Sequence, residues 1–96
     1  MDTIRISGLE EGRAALRAGV RARLALPVEA GGAAWAAEIA RALRAEFPDA
    51  AIAADCGTSA GAAMASLREG LTEIDFAGAP AIAAKLEAMG ARLVRD

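Results

Sequence analysis

Histidine and tyrosine are missing from this 96-residue chain, cysteine occurs once (Cys56), and aromatic side chains make up only 3% of it. Without an imidazole no Ser-His-Asp triad can form within one chain, because a serine nucleophile has no base to take its proton. The commonest zinc ligand goes with it. One thiol and carboxylates scattered without chelating spacing give no reason to expect a metal, another cofactor or an assignable catalytic residue. A single cysteine also excludes an internal disulfide and suits a reducing compartment. Basic charge is not in excess, with a net charge of −2 and a pI near 5.1. With no tyrosine to stack on bases, no nucleic-acid partner is expected. Arg or Glu interrupts every apolar stretch short of the roughly 20 residues that span a bilayer, so no membrane partner is expected either. The opening MDTIRISG has neither the basic n-region nor the apolar h-region of a secretory signal, which makes the cytoplasm the expected location.

What the chain does have is 55% hydrophobic residues, dominated by alanine, and 25% charged ones. That balance describes a globular domain, here one α/β domain over 1–96. An alanine-rich core offers little apolar area per residue, and close helix–sheet approach or subunit association would compensate.

The stretch from Ala50 to Leu71, AAIAADCGTSAGAAMASLREGL, sets the pattern for the rest: apolar run, Gly/Thr/Ser turn, helix-period segment, closing glycine. Thr3 to Ser7 alternates as a half-buried strand does, and Ser7 with Glu10 reads as a capping box for a helix over about Leu9 to Ala18. Val20 to Leu26 reads as the second strand, ended by Pro27, with a Gly31-Gly32 loop after it. The longest helix follows from about Ala33 to Glu46, and Phe47-Pro48-Asp49 breaks it. Ala50 to Asp55 is the third strand, about Ser59 to Glu69 its helix, and Leu71 to Phe76 the fourth strand. Pro80 opens a last helix with Ile82, Leu86 and Met89 on its buried side, and Ala91 to Val94 is a fifth strand. The order is (βα)4β, which implies a mostly parallel five-stranded sheet joined by right-handed crossovers.

Strand parity then separates two arrangements. Arg5, Arg21, Arg23, Glu73, Asp75 and Arg92 occupy one alternate set of positions, and Ile4, Ile6, Leu24, Leu26, Ile74, Phe76 and Leu93 the other. If sequential strands are neighbours, the helices lie mainly on one face in a half-barrel and the opposite face is ionic. The alternative is a flavodoxin-like doubly wound sheet whose arginines sit at strand ends and reach water along their stems. The repeated βα grammar, and DCGTSAGAAMASLREGLTEIDFAG in particular, resembles a strand–helix–strand piece of a TIM barrel. The resemblance implies ligand contacts at the carboxyl ends of the strands. It carries over no catalytic residue, and five strands are too few to close a barrel alone.

The sharpest local motif is Gly57-Thr58-Ser59-Ala60-Gly61, a G-x-S-x-G in a strand–turn–helix setting. Lacking a histidine partner, it has two readings. Its N–H groups and the Thr58 and Ser59 hydroxyls cradle a phosphate or carboxylate, with Asp55 facing the ligand, or Thr58 and Ser59 cap the helix while Gly57 and Gly61 serve turn and packing. Cys56 reads as a buried, inert thiol. Glu73 and Asp75 with Arg5, Arg21 and Arg23 read as an ion-pair network within or between subunits, and Trp35 as a cover for the core or a subunit interface. Two functions follow as expectations. The first is a homo-oligomeric (dimeric) interaction or regulatory module without catalysis, using the alanine-rich helix and the ionic sheet face. The second is a binding module for a small anionic metabolite at Gly57–Gly61.

Overall fold

The computed structural model describes residues 2–94. Its strands are β1 (Thr3–Arg5), β2 (Arg23–Pro27), β3 (Ile52–Gly57), β4 (Glu73–Phe76) and β5 (Arg92–Leu93). They form one sheet in the order β1-β2-β3-β4-β5, and every pair is parallel. The helices are α1 (Leu9–Arg17), the single turn α2 (Val28–Gly31), α3 (Ala33–Glu46), α4 (Ala60–Arg68) and α5 (Pro80–Ala88).

Consecutive order means that each crossover steps to the adjacent strand in the same direction. Right-handed crossovers then stack the helices on one side of the sheet. They lie shoulder to shoulder there: α1 packs on α3, α3 on α4 and α4 on α5, which helices on alternating faces could not do. The sheet therefore has the half-barrel arrangement, and a flavodoxin-like order is excluded.

The core fills the space between this layer and the sheet. Leu24, Leu26, Ile52, Ala54 and Ile74 meet Ala36, Ala37, Ala40 and Leu43 of α3 and Leu86 of α5, all buried. The alanines of α3 are thus spent on the chain's own core, where their small side chains let helix and sheet approach closely. Each fully buried Leu or Ile contributes about 1.5–3 kcal/mol relative to exposure, so these few large residues dominate the apolar stabilisation.

Three strands begin later than their apolar patterns suggest, for one shared reason. The N–H groups of Val20, Leu71 and Ala91 donate back to Ala15, Ser66 and Leu86, while those of Gly19, Gly70 and Gly90 donate to Leu16, Leu67 and Glu87. Those are Schellman turns, and all three glycines have the positive φ the motif needs. The residue after each glycine belongs to the end of a helix, so β2 starts at Arg23, β4 at Glu73 and β5 at Arg92.

Three other expectations are corrected. Gly8 is the N-cap of α1, and it is Glu11 rather than Glu10 that accepts from the Ser7 N–H, at 2.8 Å; Glu10 pairs with Arg13. The chain between Pro27 and Gly32 is the helical turn α2 and not an open loop. Met89 is 54% exposed, because α5 ends at Ala88 and the chain leaves the buried stripe there.

Candidate functional site

The side of the sheet away from the helices is built by strand register. Arg5, Ala25 and Ala53 align across β1, β2 and β3, and because the next residues Ala54 and Ile74 are paired, Ala53 stands level with Glu73, whose partner Arg92 carries that row to β5. One row toward the amino ends, Thr3 aligns with Arg23; one row toward the carboxyl ends, Pro27, Asp55 and Asp75 align. Because side chains alternate along a strand, all of these point to the same face. Arg5, Arg23, Glu73, Asp75 and Arg92 share one surface, as their parity requires. Arg21 does not join them: it precedes β2 and lines a groove of about 500 Å³ at the amino ends of the strands, with Leu16, Val20 and Phe47.

Ion pairs cross this face between described residues. Arg5 Nε donates to Asp55 Oδ2 at 2.8 Å, and Arg92 Nη1 to Glu73 Oε1 at 3.4 Å. Ala25 and Ala53, at the centre, are fully buried although no helix covers them, which leaves the charged stems around them as their cover. Arg23 Nε and Nη1 and Glu73 Oε2 are also withdrawn from water, and none of the three has a hydrogen-bond partner. Buried polar atoms are paired in the great majority of cases, and leaving one unpaired costs about 1–3 kcal/mol, more for a charged group.

Trp35 is elsewhere. Its ring lies over Gly31, so close that a Cβ there would sit 2.3 Å from Cδ2, and it packs on the core from the helix layer. The alanine-rich helix and the ionic face are therefore on opposite layers, and one two-fold contact cannot use both.

At the carboxyl ends of the strands, Gly57 turns the chain with φ +54°, its N–H donating to Asp55 Oδ1 at 3.2 Å. Ser59 caps α4: its hydroxyl accepts from the Ala62 N–H at 3.0 Å and its own N–H donates to Cys56 O. Thr58 is exposed beside it, and Gly61 faces open space apart from the Ser59 hydroxyl. A pocket of about 200 Å³ lies here, lined by Arg5, Pro27, Glu29, Asp55 and Gly57. Glu29 is a pocket residue that strand and motif patterns do not reveal, since it arrives on the unforeseen turn α2.

Cys56 occupies a bulge, where Asp55 pairs with Asp75 but Gly57 with Phe76, so that Cys56 is an extra residue. It is fully buried, with Sγ 3.6 Å from Ser66 Oγ. Burial raises its thiol pKa, the contact with Ser66 opposes this, and the negative charges of Asp55, Asp75 and Glu29 add to the rise. The thiol is therefore held neutral, unlike a reactive thiolate. Among the described residues no three His, Cys, Asp or Glu side chains converge so as to hold a metal ion, and no helix is long and apolar enough to cross a membrane. Compared with known proteins, the chain matches no family model, no curated protein and no solved structure.

Proposed function

We propose that the chain is a homo-oligomeric interaction or regulatory module that docks through the helix-free ionic face of its sheet and performs no chemistry of its own. The observation that carries this reading is the unpaired, water-excluded state of Arg23 Nε and Nη1 and Glu73 Oε2 on that face. Covered by their own chain these atoms have no partner, and a rotation of either side chain toward the open face presents it to a second surface that brings the missing acceptor or donor. A mixed-sign face of small and charged residues also suits a specific, register-fixing contact better than a loose apolar one. The other expectation, an anionic metabolite at Gly57–Gly61, has weaker support from the same geometry. The Ser59 hydroxyl is occupied by Ala62, and Glu29 and Asp55 bring negative charge to that end of the sheet.

Light scattering coupled to size exclusion tests the proposal directly. The expected result is a mass above that of the 9.7 kDa chain at micromolar concentration, falling toward it as salt is raised. A strict monomer across that range would overturn it.

A further inference from the structure

We infer that the ionic face pairs with a second copy of this chain about a two-fold axis that runs parallel to the strands over β3, so that Arg23 meets Glu73 of the partner subunit. The inference rests on the self-association reading above and adds which groups meet.

Charge is divided unevenly across the face. Strands β1 and β2 contribute Arg5 and Arg23, while β3 to β5 contribute Asp55, Glu73 and Asp75 against the single cation Arg92, so that this side is net anionic. A two-fold axis over β3 exchanges the two halves and lays each cationic half on an anionic one. Arg23 and Glu73 lie on the strands either side of β3, roughly 10 Å apart laterally at two strand spacings and staggered by two residues, roughly 7 Å. A guanidinium on its long stem covers that stagger. Ala25 and Ala53 are already covered within their own chain, so a second copy meets the charged groups around them and not the alanines. Arg5 and Arg92, which the axis brings toward each other, are already held by Asp55 and Glu73 of their own chain. Arg23 and Glu73 remain as the groups with unfilled hydrogen-bonding capacity of opposite kind. In a lone chain Arg23 either keeps Nε and Nη1 dry and unpaired or lifts them into water; in the pair, lifting them brings them to a carboxylate.

Charge reversal separates this arrangement from every other. Arg23→Glu alone and Glu73→Arg alone each set like charges together twice per dimer and are expected to run as monomers. An equimolar mixture of the two singles is expected to run as a heterodimer, because one chain then carries two carboxylates and the other two guanidinium groups at the paired positions. Thermal melts of each variant confirm that it is folded. If a reversal does not fold, Arg23→Gln and Glu73→Gln replace it: each is expected to weaken dimerisation tenfold or more, and the double variant to be no weaker than about the worse single.

Four outcomes overturn the inference. Single reversals that still dimerise like the parent leave self-association standing but place it on another surface. Monomeric singles whose mixture stays monomeric refute the cross-pairing. Glutamine variants whose effects multiply refute the contact. Variants that lose thermal stability without any change in mass assign Arg23 and Glu73 to a bridge within one chain. A monomeric parent protein instead removes the underlying reading along with it.

Discussion

Arg5 reaches across β2 to Asp55, its Nε donating to Oδ2 at 2.8 Å, while the other oxygen of the same carboxylate accepts from the Gly57 N–H at 3.2 Å. One side chain thus ties the edge of the sheet to its centre and also fixes the turn into α4. The two roles are separable, because the side chain of Arg5 is 75% exposed and that of Asp55 only 15%. Removing Arg5 leaves a carboxylate that water can still reach, and Arg5→Ala is expected to cost below about 1 kcal/mol, the range of exposed pairs. Asp55→Ala also strands a backbone N–H and is expected to cost about 1–3 kcal/mol. Urea unfolding of both variants measures the difference; equal losses would mean that the turn contributes nothing.

The hydroxyls of Thr58 and Ser59 look equivalent in sequence and are not. Ser59 accepts from Ala62 and closes the first turn of α4, whereas Thr58 is exposed. Ser59→Ala is expected to destabilise by about 1 kcal/mol, as loss of an N-cap does. Thr58→Ala is expected to fall within about 0.5 kcal/mol of the parent, as exposed substitutions usually do. Thermal melts of the two variants decide it, and a Ser59 effect as small as that of Thr58 would show the cap to be dispensable.

How much of this was legible in the sequence depends on which contacts are local. The βα order, the half-barrel parity and the shared face of Arg5, Arg23, Glu73, Asp75 and Arg92 follow from alternation and from the Gly-cap grammar, both of which act within a few residues. The late starts of β2, β4 and β5 were hidden because Val20, Leu71 and Ala91 are apolar in either role, and only the hydrogen bonds to Ala15, Ser66 and Leu86 reveal them as helix ends. The same ambiguity puts Arg21 in the alternating pattern of the sheet although it precedes β2. The Arg5–Asp55 partnership joins residues 50 apart in sequence, and the burial of Ala53 under charged stems depends on three strands at once. Neither leaves a local signal.

Two aromatic rings each lie on a glycine, with different freedom to move. A Cβ at Gly78 would come within 2.3 Å of Phe76 Cζ, and one at Gly31 within 2.3 Å of Trp35 Cδ2. Phe76 is 2% exposed and has no space to yield, whereas Trp35 is only half-buried and can swing toward solvent. Gly78→Ala is therefore expected to cost about 1–3 kcal/mol, typical of overpacking, and Gly31→Ala less. Denaturant midpoints rank them, and Trp35 fluorescence is expected to shift only in the Gly31 variant. The reverse ranking would show the Phe76 ring to be the mobile one.

Cys56 gives the fold a dependence on alkaline pH whose sign can be worked out. Burial raises its pKa above the ordinary 9.0, with the Ser66 contact opposing and Asp55, Asp75 and Glu29 adding to the rise. The unfolded thiol loses its proton near that ordinary value, while the native one keeps it to higher pH. The native state then binds more protons than the unfolded state, and stability falls with rising pH between the two pKa values. Below the ordinary value both states are protonated and the contribution is fully present. Stability measured by urea unfolding is thus expected to be flat in this respect from pH 7 to about 8.5 and to decline above that. Cys56→Ala removes the titrating group, so the difference between parent and variant isolates the effect from Lys85 and other alkaline groups. A difference independent of pH from 7 to 10 would show that the thiol ionises as readily in the folded chain as in the unfolded one.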